Sequence, residues 1–88
     1  MTIRVAVVGS LNHDLTVFVP HRPGKDETLH SQDMKEFRGG KGSNQAVAAA
    51  RMGASVAMIG CVGNDARAEF LLDGLELDGV DHSYVKTV

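Results

Sequence analysis

The chain has 88 residues, is 43% hydrophobic and 23% charged, and carries a net charge of −2. That length bounds it to one domain or part of one, with the composition of an ordinary globular protein. Scattered lysines and arginines exclude a nucleic-acid surface, and the apolar run Val5 to Val8 is too short for a signal-peptide core or a membrane helix. Cys61, the only cysteine, has no internal disulfide partner, which suits a reducing compartment. Lying in an apolar run, it reads as a buried and inert thiol. A cytoplasmic protein with neither a membrane nor a nucleic-acid partner is the expectation.

Ile3 to Gly9 is β-branched and ends at glycine, the pattern of a buried parallel strand. Ser10-Leu11-Asn12-His13-Asp14 follows at its carboxyl end, where open α/β sheets bind ligands. Leu15 to Val19 is strand-like again, and Pro20, Pro23 and Gly24 break it. Thr28 to Phe37 alternates apolar and polar residues, so residues 14–38 read as a β-ribbon standing off the main sheet. A helix is expected to start near Ser43 or Asn44, both good N-caps, and to run through an alanine-rich stretch to Gly53. Ser55 to Val62 is a second buried strand. Gly63-Asn64-Asp65 introduces a second helix, in which Ala68, Leu71, Leu72 and Leu75 form one apolar stripe and Gly79 marks the end. Gly74 inside that helix weakens it by about 1 kcal/mol relative to alanine. Ser83 to Val88 begins a third strand and stops, so the chain reads as cut short.

The segment richest in chemistry is Gly39-Gly40-Lys41-Gly42-Ser43-Asn44-Gln45-Ala46. Glycines let a backbone approach a ligand closely, and a helix start aims free N–H groups and a positive dipole end at the same spot. It is not a Walker loop, because Gly42 rather than Ser or Thr follows Lys41. It is not a dinucleotide fingerprint either: Gln45 stands where the third glycine belongs, and a ribbon separates the loop from the first strand. His13, His21, His30 and His82 are too dispersed for a metal cluster.

Together, the Asn12-His13-Asp14 segment and the glycine–lysine loop resemble the ribokinase family of sugar kinases, the phosphofructokinase-B type. Gly53 and Gly63 fall at the spacing of that family's first signature, and Gly79-Val80-Asp81 is similar as well. The lysine in the loop and the Asn-x-Asp pair are more similar to ribokinases than to fructokinases or nucleoside kinases. One departure is visible: the family's Pro-Gly-Glu-Thr turn is split here, with Lys25-Asp26 between Pro23-Gly24 and Glu27-Thr28.

The resemblance implies an α/β fold, a ribokinase-like three-layer αβα sheet. Residues 1–88 would be its N-terminal part, and the ribbon at about 14–38 its lid. It further implies phosphoryl transfer from ATP, with Mg²⁺, to the hydroxymethyl group of ribose or a similar sugar. Asn12 and Asp14 would hold sugar hydroxyls, Gly40, Lys41, Gly42, Ser43 and Asn44 would form the opposite wall, and His13 would face the same mouth. Plainer roles stand beside these: Asp14 as a turn residue, Asn44 as a helix cap, Lys41 as a solvated loop lysine, His13 as a bystander. The family's catalytic aspartate lies in a Gly-Ala-Gly-Asp type motif, which this sequence lacks together with the nucleotide-binding motif, so the chain alone is expected to be inactive. A homodimer through the lid is a further implication. The alternatives are a short non-catalytic sugar-binding or lid-pairing protein and an unrelated small nucleotide-binding module.

Overall fold

Residues 2–88, which the computed structural model describes, run as β1 (Arg4–Val8), β2 (Asn12–Phe18), β3 (Asp33–Gly39), α1 (Lys41–Arg51), β4 (Ser55–Val62), α2 (Ala66–Leu77) and β5 (Asp81–Thr87). Three strands form a parallel sheet in the order β1-β4-β5, with Arg4 beside Ser55 and Val8 beside Ile59. The β2–β3 pair forms a separate antiparallel ribbon in which Asn12 faces Gly39 and Phe18 faces Asp33. A parallel pair needs a crossover, and α1 and α2 supply one each.

Period-two alternation decides which side of the sheet is covered. Val56, Met58 and Val62 of β4 are buried beneath the helices. They join Val7, Ala46, Leu75 and Val80 in one cluster and Ala68 and Leu71 in another. Met58 and Leu75 are 0% and 1% exposed and form the centre of the packing. The opposite face of the sheet carries no helix among the described residues, so two of the expected three layers are present. This corrects the reading of Cys61, which lies on the uncovered face and is exposed. Its neighbours in sequence are apolar, but alternation sends its side chain away from them.

Both helices end in the same way. Gly53 (φ 99°) and Gly79 (φ 73°) adopt the left-handed conformation. Ala54 N–H then donates to Ala49 O, and Val80 N–H to Leu75 O, which closes Schellman turns. Val80, buried against Leu75, completes the apolar contact typical of that motif. Arg51 Nε donates to Asp78 Oδ1 at 2.8 Å and ties the two helix ends together. The pair raises the Arg51 pKa above its ordinary value, through the hydrogen bond first and the charge of Asp78 second.

The helix starts differ. Asp65 caps α2, its Oδ1 accepting from Ala68 N–H at 2.9 Å. The expected Ser43 or Asn44 cap on α1 does not form; the N-cap is Gly40, three or four residues earlier, with no side-chain cap. Ser43 N–H donates instead to Ser10 O at 3.0 Å, so a backbone carbonyl leaving β1 takes the capping role.

The ribbon reaches beyond residues 14–38 at its base, and its strands stop short of the expected Val19 and Thr28 at the tip. Its ladder begins at Asn12 and ends at Phe18, where Gln32 N–H donates to Phe18 O. At the tip, Glu27 accepts from Gly24 N–H and lies 3.2 Å from His21 Nε2. Most ribbon residues are exposed on both faces, and the molecule extends 56 Å along its longest axis.

Candidate functional site

The carboxyl end of β1 and the amino end of α1 meet backbone to backbone. A Cβ on Gly42 would lie 2.8 Å from both Gly9 Cα and Ser10 N, and one on Gly9 would lie 2.9 Å from Gly42 Cα. Neither position has room for a side chain. Gly40 (φ 100°) turns the chain into the helix, and a Cβ there would come within 2.6 Å of Ser10 O and 3.0 Å of Asn12 N. The glycines of the loop are therefore required by its approach to the 10–12 segment.

β2 leaves this corner with Asn12 and Asp14 on one face and His13 on the other, as alternation dictates. The Asp14 carboxylate leans across to Gly39 and occupies the space that a Cβ on that residue would take. The Asn12–Asp14 segment and the glycine–lysine loop thus share one corner. Asn12, Asp14, Lys41 and Asn44 are exposed there, while Gly42 and Ser43 are buried beneath them. Among the described residues neither Asp14 nor Lys41 takes part in an ion pair. The exposed side chains of these segments are a carboxylate, an amine and two amides, groups that donate and accept hydrogen bonds.

His13 does not join this set. It packs edge-on against Phe70 of α2, with ring centroids 5.7 Å apart. Its side chain is only 12% exposed and Nε2 lies 3.5 Å from Glu36 Oε1. The alternation of a strand beginning at Asn12 was the signal that separates it from its neighbours. Gly9 belongs to the corner although the sequence marked it only as the end of a strand, and Gly39, part of the glycine–lysine segment but not of the expected sugar wall, belongs to it as well. A groove of about 540 Å³ between α1 and α2 touches the corner through Ser43 and Asn44, and its other walls are helix residues such as Val47, Leu71 and Leu75 together with Glu36, Phe37 and Arg38 of β3.

No helix of the described residues is long and apolar enough to cross a membrane, and no group of three His, Cys, Asp or Glu among them could hold a metal ion.

The chain belongs to the pfkB family of carbohydrate kinases, whose profile matches residues 2–88. It is 42% identical over 84 residues to a ribokinase of Haemophilus influenzae and 43% identical over 84 residues to one of Bacillus subtilis, in each case across 96% of this chain. It spans only 28% and 29% of the lengths of those two relatives. Its fold matches the structure of Arabidopsis thaliana ribokinase complexed with ribose and ATP with a TM-score of 0.88 and 32% identity, over 100% of this chain and 29% of that one. The ribokinase-like fold is thereby established.

Proposed function

We propose that this chain forms one wall of the sugar site of an ATP-dependent carbohydrate kinase of ribokinase type, acting on the hydroxymethyl group of ribose or a similar sugar. The observation that carries this reading is the shared corner, where Asp14 lies over Gly39 beside the start of α1. Asn12 and Asp14 bind sugar hydroxyls from the ribbon side. The Lys41 amine, the Asn44 amide and the backbone around Gly40, Gly42 and Ser43 bind from the other. A hydroxyl can donate to the carboxylate and accept from the amine or an amide, so an analogue lacking it leaves these groups unpaired. The corner does two things for phosphoryl transfer: it binds the acceptor and fixes its orientation.

ATP and Mg²⁺ are implied by the family, and this reading assigns neither to residues of this chain, whose sequence lacks the Gly-x-Gly-Asp context of the family's base. In this reading nucleotide binding and proton abstraction belong to residues beyond this corner. The β2–β3 ribbon serves as the lid. One of its faces exposes Leu15, Val17 and Met34, which supports pairing with a second copy. A cytoplasmic location completes the reading.

The test is a ribose titration of the full-length protein followed by amide NMR, together with ribose-dependent ADP release. Shifts centred on residues 12–14 and 40–44, with turnover that needs the sugar, are expected. ADP release indifferent to any pentose, with no shift at those residues, overturns the proposal.

A further inference from the structure

We propose that Arg38 is a positioning residue for the sugar site, latching the base of the ribbon onto α2 and thereby setting where Asn12 and Asp14 stand. This inference rests on the sugar-site reading above and assigns the part that orients it.

Arg38 directly precedes Gly39 and lies opposite His13 in the ribbon ladder. Its side chain lies beside His13, on the face opposite Asn12 and Asp14, and reaches across to α2. There Nε donates to Phe70 O at 2.7 Å, and the guanidinium carbon sits 4.0 Å from the centre of the Phe70 ring. The stem lies in a notch above Gly74, where a Cβ would overlap Arg38 Cδ. Glycine is unfavourable inside a helix, and the crossing arginine is what occupies the space left by its missing side chain. His13, from the neighbouring strand, packs its ring edge against the same Phe70. Both strands of the ribbon are therefore seated on one aromatic residue, immediately below the Asp14–Gly39 contact. A ribbon otherwise exposed on both faces has few other contacts to fix its angle. Errors in that angle are passed directly to the ligand-binding side chains, and small misplacements reduce productive binding steeply.

The experiment compares Arg38→Ala, Gly74→Ala and the double variant in the full-length protein. Sugar and ATP KM values are measured, with hydrogen exchange of the amides of residues 12–18 and 33–39. Each single variant is expected to raise the sugar KM on the order of tenfold, leave the ATP KM unchanged and speed ribbon exchange. The double variant should be no worse than Arg38→Ala, because the added Cβ then meets no arginine. Gly74→Ala separates this role from mere stabilisation, since alanine favours the helix while displacing the latch. Unchanged sugar KM, additive losses, or equal rises for both substrates overturn the proposal. If the unaltered protein shows no sugar-dependent turnover, the sugar-site reading falls, and ribbon exchange alone decides the latch: unchanged exchange in Arg38→Ala refutes it.

Discussion

Asp14 lies diagonally across the ribbon from Gly39, and its carboxylate fills the volume that any other residue's Cβ would need there. Two positions that look independent in sequence are thus one device. Asp14→Ala is expected to raise the sugar Kd about tenfold to a hundredfold, the loss of a charged hydrogen bond worth about 1.5–3 kcal/mol. Gly39→Ala should act in the same direction by pushing the carboxylate aside. Calorimetric titration with sugar and with nucleotide checks both; equal loss for the two ligands would contradict the assignment.

Glycine substitutions at the corner should rank by what the new methyl meets. At Gly42 it meets the backbone of Gly9 and Ser10, which cannot swing away. Gly42→Ala is expected to cost at least about 1–3 kcal/mol through overpacking. At Gly53 nothing lies within 4 Å, so Gly53→Ala carries only the strain of φ 99°, about 1–2 kcal/mol. Denaturant midpoints of the two variants measure the order; Gly53→Ala as the more damaging change would count against the backbone contact.

The two faces of β4 should respond oppositely to truncation. Met58→Ala removes a fully buried side chain and is expected to destabilise the chain by about 2–5 kcal/mol. Cys61→Ala, on the exposed face, should stay within about 0.5 kcal/mol in the 88-residue chain. Rapid modification of Cys61 by a thiol reagent in the folded chain is the accompanying sign, and slow modification would place the thiol inside.

Asp81 gives an acid-side prediction. Ser83 N–H donates to its Oδ1 at 2.9 Å, and that bond holds the carboxyl below its ordinary value of 3.8. A lowered folded-state pKa contributes stability that is complete above the unfolded value and disappears as pH falls through the folded one. Asp81→Asn should therefore flatten the acid limb of the stability profile below about pH 4 and leave its slope near neutrality unchanged. Thermal midpoints across an acid pH series read this directly, and an acid limb identical to wild type would speak against it.

The order of elements was legible because β-branched runs and glycine punctuation rarely mislead when they agree. Gly53 and Gly79 end their helices where the sequence expects, and the stripe through Ala68, Leu71 and Leu75 is buried. The start of α1 was misplaced because Ser and Asn are strong caps on average, whereas here the Ser10 carbonyl meets the Ser43 amide from across the corner. Cys61 was misread because hydrophobic neighbours say that a strand is buried without saying on which side. β5 starts at Asp81, two residues before its apolar alternation becomes visible. At the corner, the residue types could be read from the motif, and so could the backbone approach that its glycines permit. The diagonal Asp14–Gly39 contact and the seat of Arg38 over Gly74 could not, since both join segments through space with no local pattern. Gly74 left a trace, as a glycine that the helix had no use for.

The meeting of Gly9, Gly40 and Gly42 with the 10–12 backbone has a thermodynamic consequence. Main-chain atoms held in a sheet and a helix have no rotamers to freeze when a guest arrives. Ordering costs of roughly 0.5–1.5 kcal/mol for each immobilised flexible side chain do not arise on that wall. Whatever the corner recognises is met there by a surface already in its final shape, and adaptation is left to the few long side chains around it.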